Sequence, residues 1–161
     1  MALRTIRKDD DPCLYKTCRP VEKFDEKLRV LIEDLFDTMY DADGVGLAAP
    51  QVGILRRAAV IDTGEIKMEL INPEIVERSG LYGALEGCLS FPGKSGYVER
   101  SEHVVVRGYD RNGRMQEFSV DRLAARAVQH ELDHLDGRVY LALVTEPPEG
   151  FDPEADEEEE A

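Results

Sequence analysis

The chain has 161 residues, of which 42% are hydrophobic and 34% are charged, and this composition is typical of one globular domain. Its net charge is −14, but nine acidic residues and no Lys or Arg lie between Glu146 and Glu160, so the remainder carries only −5. An acidic chain without a clustered basic face is not suited to bind nucleic acid. No apolar run reaches the roughly 18 residues of a membrane span, and the amino terminus lacks the apolar segment of a secretory signal. We therefore expect a cytoplasmic protein.

The first predicted element is a helix over residues 25–41, preceded by an irregular segment. Apolar residues recur from Leu28 to Tyr40 at the i, i+3, i+4 and i+7 spacing of one buried helix face. Asp25 is the expected N-cap, because its carboxylate can accept free backbone N–H groups of the first turn. Asp43-Gly44 is expected to end the helix, with the glycine adopting a positive φ.

The middle of the chain, residues 44–121, is predicted to form mostly strands and turns. The last two strands are predicted to form a hairpin, because Asn112-Gly113 between them is a strong signal for a type I′ turn. The predicted strands lie at 58–62, 68–71, 103–109 and 115–120.

A second helix is predicted over residues 122–136, with Asp121 as its N-cap and Gly137 after its end. One helix, then strands, then another helix is the order of an α+β fold rather than of alternating βαβ units. We expect mixed or antiparallel sheets packed around the C-terminal helix, with the N-terminal helix beside them. The domain is predicted to span residues 1–145, and the acidic residues 146–161 are predicted to form a disordered tail.

The most specific chemical signal lies in the second predicted helix, as His130-Glu131-Leu132-Asp133-His134. Two histidines four residues apart project from one helix face, at the spacing that binds one metal ion. Glu131 lies close enough to act on a water molecule held there. An ordinary polar helix face is the weaker interpretation, because the chain has only three histidines and two of them take this spacing.

Such a site needs a third protein ligand. Zincin peptidases usually take it downstream, but no histidine comes after His134. Upstream lies Cys88, in Glu86-Gly87-Cys88-Leu89-Ser90, and a thiolate is a good ligand for a borderline metal. The neighbouring glycine would allow a close backbone approach. A cysteine that only packs as a small hydrophobe is the other interpretation, and the spacing alone does not decide between them.

A third segment, Gly44-Val45-Gly46-Leu47-Ala48-Ala49-Pro50-Gln51, superficially fits the dinucleotide-binding pattern GxGxxA. That pattern requires a strand before it and a helix after it, whereas here a helix precedes it and Pro50 disfavours a helix directly after it. We interpret the segment instead as a place where another backbone approaches closely. Gln51 is then either a hydrogen-bond donor at a site or an ordinary turn residue.

Taken together, residues 44–51, 86–90 and 129–134 resemble the three signature motifs of the peptide deformylases, in the order of that family. The similarity extends from about residue 4 to residue 145. The resemblance implies hydrolysis of the formyl group of N-formyl-methionine at the start of newly made polypeptides, with release of formate. It implies N-formyl-methionyl nascent peptides as the partner, with the ribosome as a further candidate, and we expect a monomer.

The resemblance also assigns roles to residues. Cys88, His130 and His134 are implied to bind one divalent metal ion, natively Fe²⁺, which Zn²⁺, Ni²⁺ or Co²⁺ can replace. Glu131 is implied to be the general base and acid, while the Gln51 side-chain amide and the Leu89 backbone N–H are implied to form the oxyanion hole.

The predicted second helix also suggests how substrate binds. Leu123 and Ala127 share a face with the two histidines and should form an apolar wall, which suits a methionine side chain. Val45 is a third candidate for this pocket. The peptide beyond methionine is expected to add as an extra strand along Val45, Gly46 and Gly87.

Two other functions remain open at this stage. A zinc endopeptidase would use the same His-Glu-x-x-His motif and would not need Cys88. A non-enzymatic protein that recognises peptide ends is also compatible with the motifs, although the presence of Glu131 and Gln51 argues against it.

Several other polar residues receive weaker expectations. Glu86 and Arg100 are expected either to pair beside the cysteine or to be two solvated charges. Arg126 is expected to point away from the metal-binding face and to reach the mouth of the pocket. Three residues are expected to be structural or incidental: His103, Cys13 and Cys18.

Overall fold

The computed structural model describes residues 2–154, and residues 155–161 of the predicted tail lie outside this range. Within residues 2–154 the chain forms two α-helices, seven β-strands and three short 3₁₀ turns. The helices are α1 (Glu26–Asp41) and α2 (Arg122–Leu135). The strands are β1 (Gly46–Ala48), β2 (Ala58–Asp62), β3 (Lys67–Ser79), β4 (Tyr82–Gly87), β5 (Ser95–Arg100), β6 (His103–Tyr109) and β7 (Met115–Asp121).

Five strands form an antiparallel sheet in the order β1-β2-β3-β6-β7, and β4 and β5 form a separate antiparallel hairpin. The sheet separates the two helices. Alternate residues of β2 face opposite sides, so Val60 packs with the α1 core and Ile61 packs with the α2 core. Burial on both faces explains why β2 is a continuous apolar run. The predicted α+β fold with antiparallel sheets around the C-terminal helix is confirmed.

The start of α1 agrees with the prediction, and its end does not. The Asp25 carboxylate accepts a hydrogen bond from the Leu28 N–H at 3.1 Å. At the other end, Asp43 rather than Gly44 has the positive φ, at 57°. Gly44 is required for a different reason, because a Cβ atom there would lie 2.6 Å from Cδ1 of Leu89.

Helix α2 is followed by Gly137, whose φ is 74°, as predicted. Asp121 occupies the N-cap position, but its side chain makes no capping hydrogen bond. The carboxylate lies 2.6 Å from Nδ1 of His103, which is directly opposite in the β6–β7 register. The predicted side-chain cap is therefore wrong, because the cross-strand partner takes the same carboxylate.

The β6–β7 turn also differs from the prediction. A type I′ turn needs positive φ at both central residues, but only Gly113 of the Asn112-Gly113 pair has one. The Asp110 carboxylate accepts from the N–H groups of Asn112 (2.8 Å) and Arg114 (3.0 Å). Asp at the first position favours a type I turn, here followed by a left-handed glycine.

Strand β3 is longer than predicted because it continues past Asn72 and Pro73 to Ser79. A shift in the β3–β6 register between Ile71 and Glu74 contains the proline, so its missing N–H leaves no gap in the ladder. The Asn72 side chain binds both the N–H and the carbonyl of Val21, at 2.8 and 2.9 Å. The proline therefore marks an irregularity inside a strand rather than its end.

The described residues after the domain core are mostly exposed. Of residues 146–154, only Phe151 is partly buried, and its ring lies edge-on to that of Tyr97, with 4.8 Å between centroids. No helix among the described residues is long and apolar enough to cross a membrane.

Candidate active site

Three potential metal ligands converge beside α2. His130 and His134 project from successive turns of one helix face, and their Nε2 atoms are 3.2 Å apart. Cys88 directly follows β4, and its Sγ lies 3.4 Å from the Nε2 of His134. All three ligand atoms lie within 4.8 Å of one another.

These spacings fit one tetrahedral metal ion. Zinc bonds of about 2.0–2.3 Å at tetrahedral angles separate neighbouring ligand atoms by about 3.3–3.6 Å, close to the two distances seen between the side chains. Burial lowers the pKa of His134 well below its ordinary value, so its imidazole is neutral, which is the form that binds a metal. Three protein ligands leave a fourth position open, as in catalytic rather than structural sites.

Glu86 orients one of the histidines. Its Oε2 lies 2.6 Å from the Nδ1 of His130, so Nδ1 is the nitrogen that keeps its proton when Nε2 binds a metal. Arg100 donates to both carboxylate oxygens, at 2.8 and 2.6 Å, so of the two alternatives left open for Glu86 and Arg100 the ion pair is correct. Burial alone would raise the pKa of Glu86, but the hydrogen bonds from Arg100 and His130 hold it well below its usual range.

Arg126 is also part of this ion-pair cluster. It lies four residues before His130, hence on the same side of the helix, and the expectation that it points away from the metal-binding face is wrong. Its Nη1 donates to Glu86 at 2.9 Å, and its Nη2 donates to the Tyr82 carbonyl at 2.7 Å. The arginine therefore ties α2 to both ends of β4, while it also borders the cleft described below.

Glu131 is buried next to a glycine. Its Oε1 has no hydrogen-bond partner among the described residues, although it is inaccessible to solvent. A Cβ atom at Gly46 would overlap the Oε2 of Glu131, so only glycine leaves room for this carboxylate. Burial raises the pKa of Glu131 to about 7, against the lowering effect of the charge on His130. A carboxyl of this kind can both accept and return a proton near neutral pH.

Gln51 is fixed with its amide nitrogen toward the cysteine. Its Oε1 accepts from the Ala48 N–H at 2.9 Å, which settles the orientation of the amide group. The Nε2 then donates to Ser90 Oγ at 3.1 Å and lies 3.6 Å from Cys88 Sγ. Close by, the Leu89 N–H meets no acceptor within residues 2–154. The two groups supply N–H donors next to the three metal-ligand atoms.

A cleft of about 490 Å³ opens onto these residues. Leu123 and Ala127 line it from α2, as the helical spacing predicted. Every residue expected to contact substrate borders this cleft, namely Val45, Gly46, Gly87, Leu123 and Ala127. A larger groove of about 1080 Å³ lies near the start of α1, but none of the converging ligands or donors borders it.

Two residues near the site were not singled out from the sequence. Ser90 is fully buried and accepts from the Gln51 amide. The Tyr140 ring packs 5.8 Å from the His130 ring, and its hydroxyl donates to the Lys94 carbonyl at 3.0 Å. Ser90 lies inside a motif, but nothing local to Tyr140 indicates a contact with a helix that ends five residues earlier.

The two remaining cysteines and the third histidine lie outside the ligand cluster. Cys13 donates to the Pro50 carbonyl at 3.3 Å, and Cys18 is buried. Burial raises the pKa of both thiols to about 11. His103 pairs with Asp121 on β6 and β7, at the opposite edge of the five-stranded sheet from β1. These residues agree with the expectation of structural or incidental roles.

Comparison with protein-family models matches residues 3–148 to the family described as polypeptide deformylase. A peptide deformylase from Alkaliphilus metalliredigens is 55% identical over 140 residues, which cover 87% of this chain and 95% of the relative. A peptide deformylase from Clostridium botulinum is 50% identical over 145 residues, which cover 90% of this chain and 99% of the relative.

Solved structures agree with these sequence matches. The structure of a peptide deformylase from Thermotoga maritima has a TM-score of 0.88 and 44% identity, and the match covers 91% of this chain and all of that one. A peptide deformylase from Synechococcus elongatus in complex with actinonin has a TM-score of 0.86 and 42% identity, covering 89% of this chain and 79% of that one.

Proposed function

The chain belongs to the polypeptide deformylase family and is a hydrolase that removes the N-terminal formyl group from newly made peptides, and we propose that it does so with the residues converging beside α2. The observation that carries this proposal is the approach of Cys88, His130 and His134 to one point, with an unpartnered buried carboxylate next to them.

Cys88, His130 and His134 would hold one divalent metal ion. When bound, the ion would lower the pKa of a water molecule toward neutrality and polarise the formyl oxygen. One thiolate and two imidazoles suit Fe²⁺ and Zn²⁺ alike. We propose Fe²⁺ from the family resemblance, with Zn²⁺, Ni²⁺ or Co²⁺ as replacements.

Glu131 would move the proton. Its free Oε1 can accept a proton from water as the water oxygen attacks the formyl carbon. An amine leaves poorly as an anion, so the same carboxyl then delivers that proton to the nitrogen as the carbon–nitrogen bond breaks. The products are formate and a peptide with a free amino terminus.

Gln51 and Leu89 would stabilise the negative charge that develops on the formyl oxygen. The Gln51 amide is held in place by the Ala48 N–H, and the Leu89 N–H has no competing acceptor among the described residues, so one donor is oriented and the other is available before substrate arrives. Donors fixed in advance need no reorganisation during the reaction, and loss of one typically costs about 2.7–4 kcal/mol.

Substrate would enter along the cleft as an extended chain. The methionine side chain would pack against Leu123 and Ala127, with Val45 bordering the same cleft. The backbone beyond methionine would pair along Val45, Gly46 and Gly87 as an added strand. Longer formyl peptides should therefore bind more tightly than formyl-methionine.

The proposal also covers the oligomeric state of the enzyme, its location and the extent of its catalytic domain. All of the proposed ligands and donors come from one chain, so the site needs no second subunit, and we propose a monomeric enzyme. We propose that it meets its substrates at the ribosome, in the cytoplasm. Residues 1–145 would be the catalytic domain, and residues 146–161 would be an acidic tail without a catalytic role.

Formate release from formyl-Met-Ala-Ser, by protein prepared without oxygen, tests the proposal. Wild-type protein should release formate, and Glu131→Gln should bind one equivalent of metal without turnover. Cys88→Ser should lose metal and activity together. Retained metal and cleavage of internal peptide bonds by Cys88→Ser would instead indicate an endopeptidase, and an active Glu131→Gln variant would exclude the assigned proton transfer.

A further inference from the structure

The outer face of the β4–β5 hairpin carries an apolar surface that the reaction described above does not use. Leu85 borders the cleft and is 47% exposed. Tyr97 lies directly opposite Leu85 in the β4–β5 register, hence on the same face. The ring of Phe151 covers Tyr97 with 4.8 Å between centroids. We call Leu85, Tyr97 and Phe151 the hairpin shelf.

Two features support the face from which Leu85 projects, where Tyr97 is itself only 6% exposed beneath Phe151. A Cβ atom at Gly83 would overlap the Tyr97 hydroxyl, so the glycine gives the tyrosine space to lie flat across β4. Behind it, Thr145 donates to the Tyr97 carbonyl at 2.9 Å, and this bond holds the segment that leads to Phe151. The cleft end of the shelf, at Leu85, is its accessible part.

The alternation of side chains along a strand shows which part of a substrate reaches this shelf. Glu86 points inward to His130, so Leu85 points to the opposite face of β4. A peptide added beside β4 with its methionine against Ala127 has that side chain on the inward face. Its next residue must then project to the outer face, beside Leu85.

We propose that the hairpin shelf binds the side chain of the residue that follows formyl-methionine, and that it makes the enzyme prefer apolar or aromatic residues at this second position. The inference rests on the proposed function and on an extended substrate. An acidic second residue gains nothing there, because it would have to shed water against Leu85, and the Tyr97 hydroxyl already donates to Glu99 at 3.4 Å.

Formyl-Met-Xaa-Ser peptides with Leu, Phe, Gly, Ser or Asp at Xaa test the proposal on the metal-loaded enzyme. Wild-type kcat/KM should be about fivefold higher for Leu or Phe than for Ser or Asp, because partial burial of one apolar side chain contributes a factor of this size. Leu85→Ser should reduce the ratio to about one.

Leu81→Ser is the matched control, because Leu81 is 68% exposed just before β4 and does not border the cleft. This variant should keep the wild-type ratio. A flat wild-type series, or a preference that survives Leu85→Ser, would overturn the proposal. Turnover of no peptide in the series would instead overturn the proposed function. Phe151→Ala should lower the ratio, and an unchanged ratio would remove the C-terminal segment from the shelf.

Discussion

Replacing Glu86 with glutamine tests the ion-pair cluster that holds the site in place, without changing a group that takes part in the reaction. The carboxylate is buried and has four close partners: Arg100 Nε and Nη2, Arg126 Nη1 and His130 Nδ1, at 2.6–2.9 Å. Glutamine has nearly the same shape, so the substitution removes charge and two acceptor sites without opening a cavity.

The expected loss of stability can be worked out from these four bonds. A glutamine oxygen can accept two of them, and its NH₂ group faces the other two donors. An arginine N–H left there is buried and unpaired, and breaking one partner out of a buried ion pair costs about 3–5 kcal/mol. If His130 changes tautomer to accept from the new NH₂ group, its Nε2 gains the proton and can no longer bind a metal. Metal affinity should therefore fall about 10–100-fold as well.

Urea unfolding of the metal-free protein measures the loss of folding stability, as a shift of the urea midpoint with an unchanged denaturant slope. A separate metal titration measures the fall in metal affinity. Glu117→Gln is the matched control, because Glu117 pairs with Arg107 at 2.7 Å on the surface, with both side chains 53% exposed. That variant should lose less than about 1 kcal/mol. A similarly small loss for Glu86→Gln would refute the account of the buried cluster.

Three further predictions concern single residues. Gly46→Ala should displace the Glu131 carboxylate and lower kcat about 100-fold, since a misplacement of about 1 Å has this effect, and the overpacked site should also lose about 1–3 kcal/mol of folding stability. Activity near wild type would contradict the contact. Gln51→Ala should lower kcat by about 10²–10³ with metal content unchanged, as measured by metal analysis, and an effect on KM alone would exclude the oxyanion role. Burial alone would raise the pKa of Asp34, but hydrogen bonds from the Ala2 N–H and Arg4 hold that pKa below its ordinary value of 3.8. The ionised carboxylate therefore contributes to folding stability above that pH, and the contribution is lost as the pH falls. Asp34→Asn should therefore flatten the acid limb of the stability curve in thermal melts from pH 2 to 5, and an unchanged limb would contradict it.

The helices and the reacting groups were the predictable part of this molecule. Asp25 caps α1 because local spacing alone determines that hydrogen bond. The spacing of His130 and His134 likewise places both imidazoles on one helix face, whatever the rest of the fold does. The approach of Cys88 to them depends on chain topology, and only the family resemblance indicated it.

The errors arose where two local signals competed or where a distant partner decided the outcome. Asp121 could cap α2 or pair across the strands, and His103 sits too far away in sequence to be weighed against the cap. Asp110 changed the turn type that Asn112-Gly113 alone would favour. The placement of Arg126 is a different error, because its spacing of four residues from His130 already puts both side chains on one side of α2.

The site draws its parts from three distant places along the chain, namely residues 46–51, 86–90 and 130–134. During its own synthesis, the sheet and the β4–β5 hairpin can therefore form before either histidine has left the ribosome. Tyr140, which packs on His130, emerges later still. Until α2 has emerged and folded, the chain lacks two of its three metal ligands, so the folding of α2 is the step that completes the site.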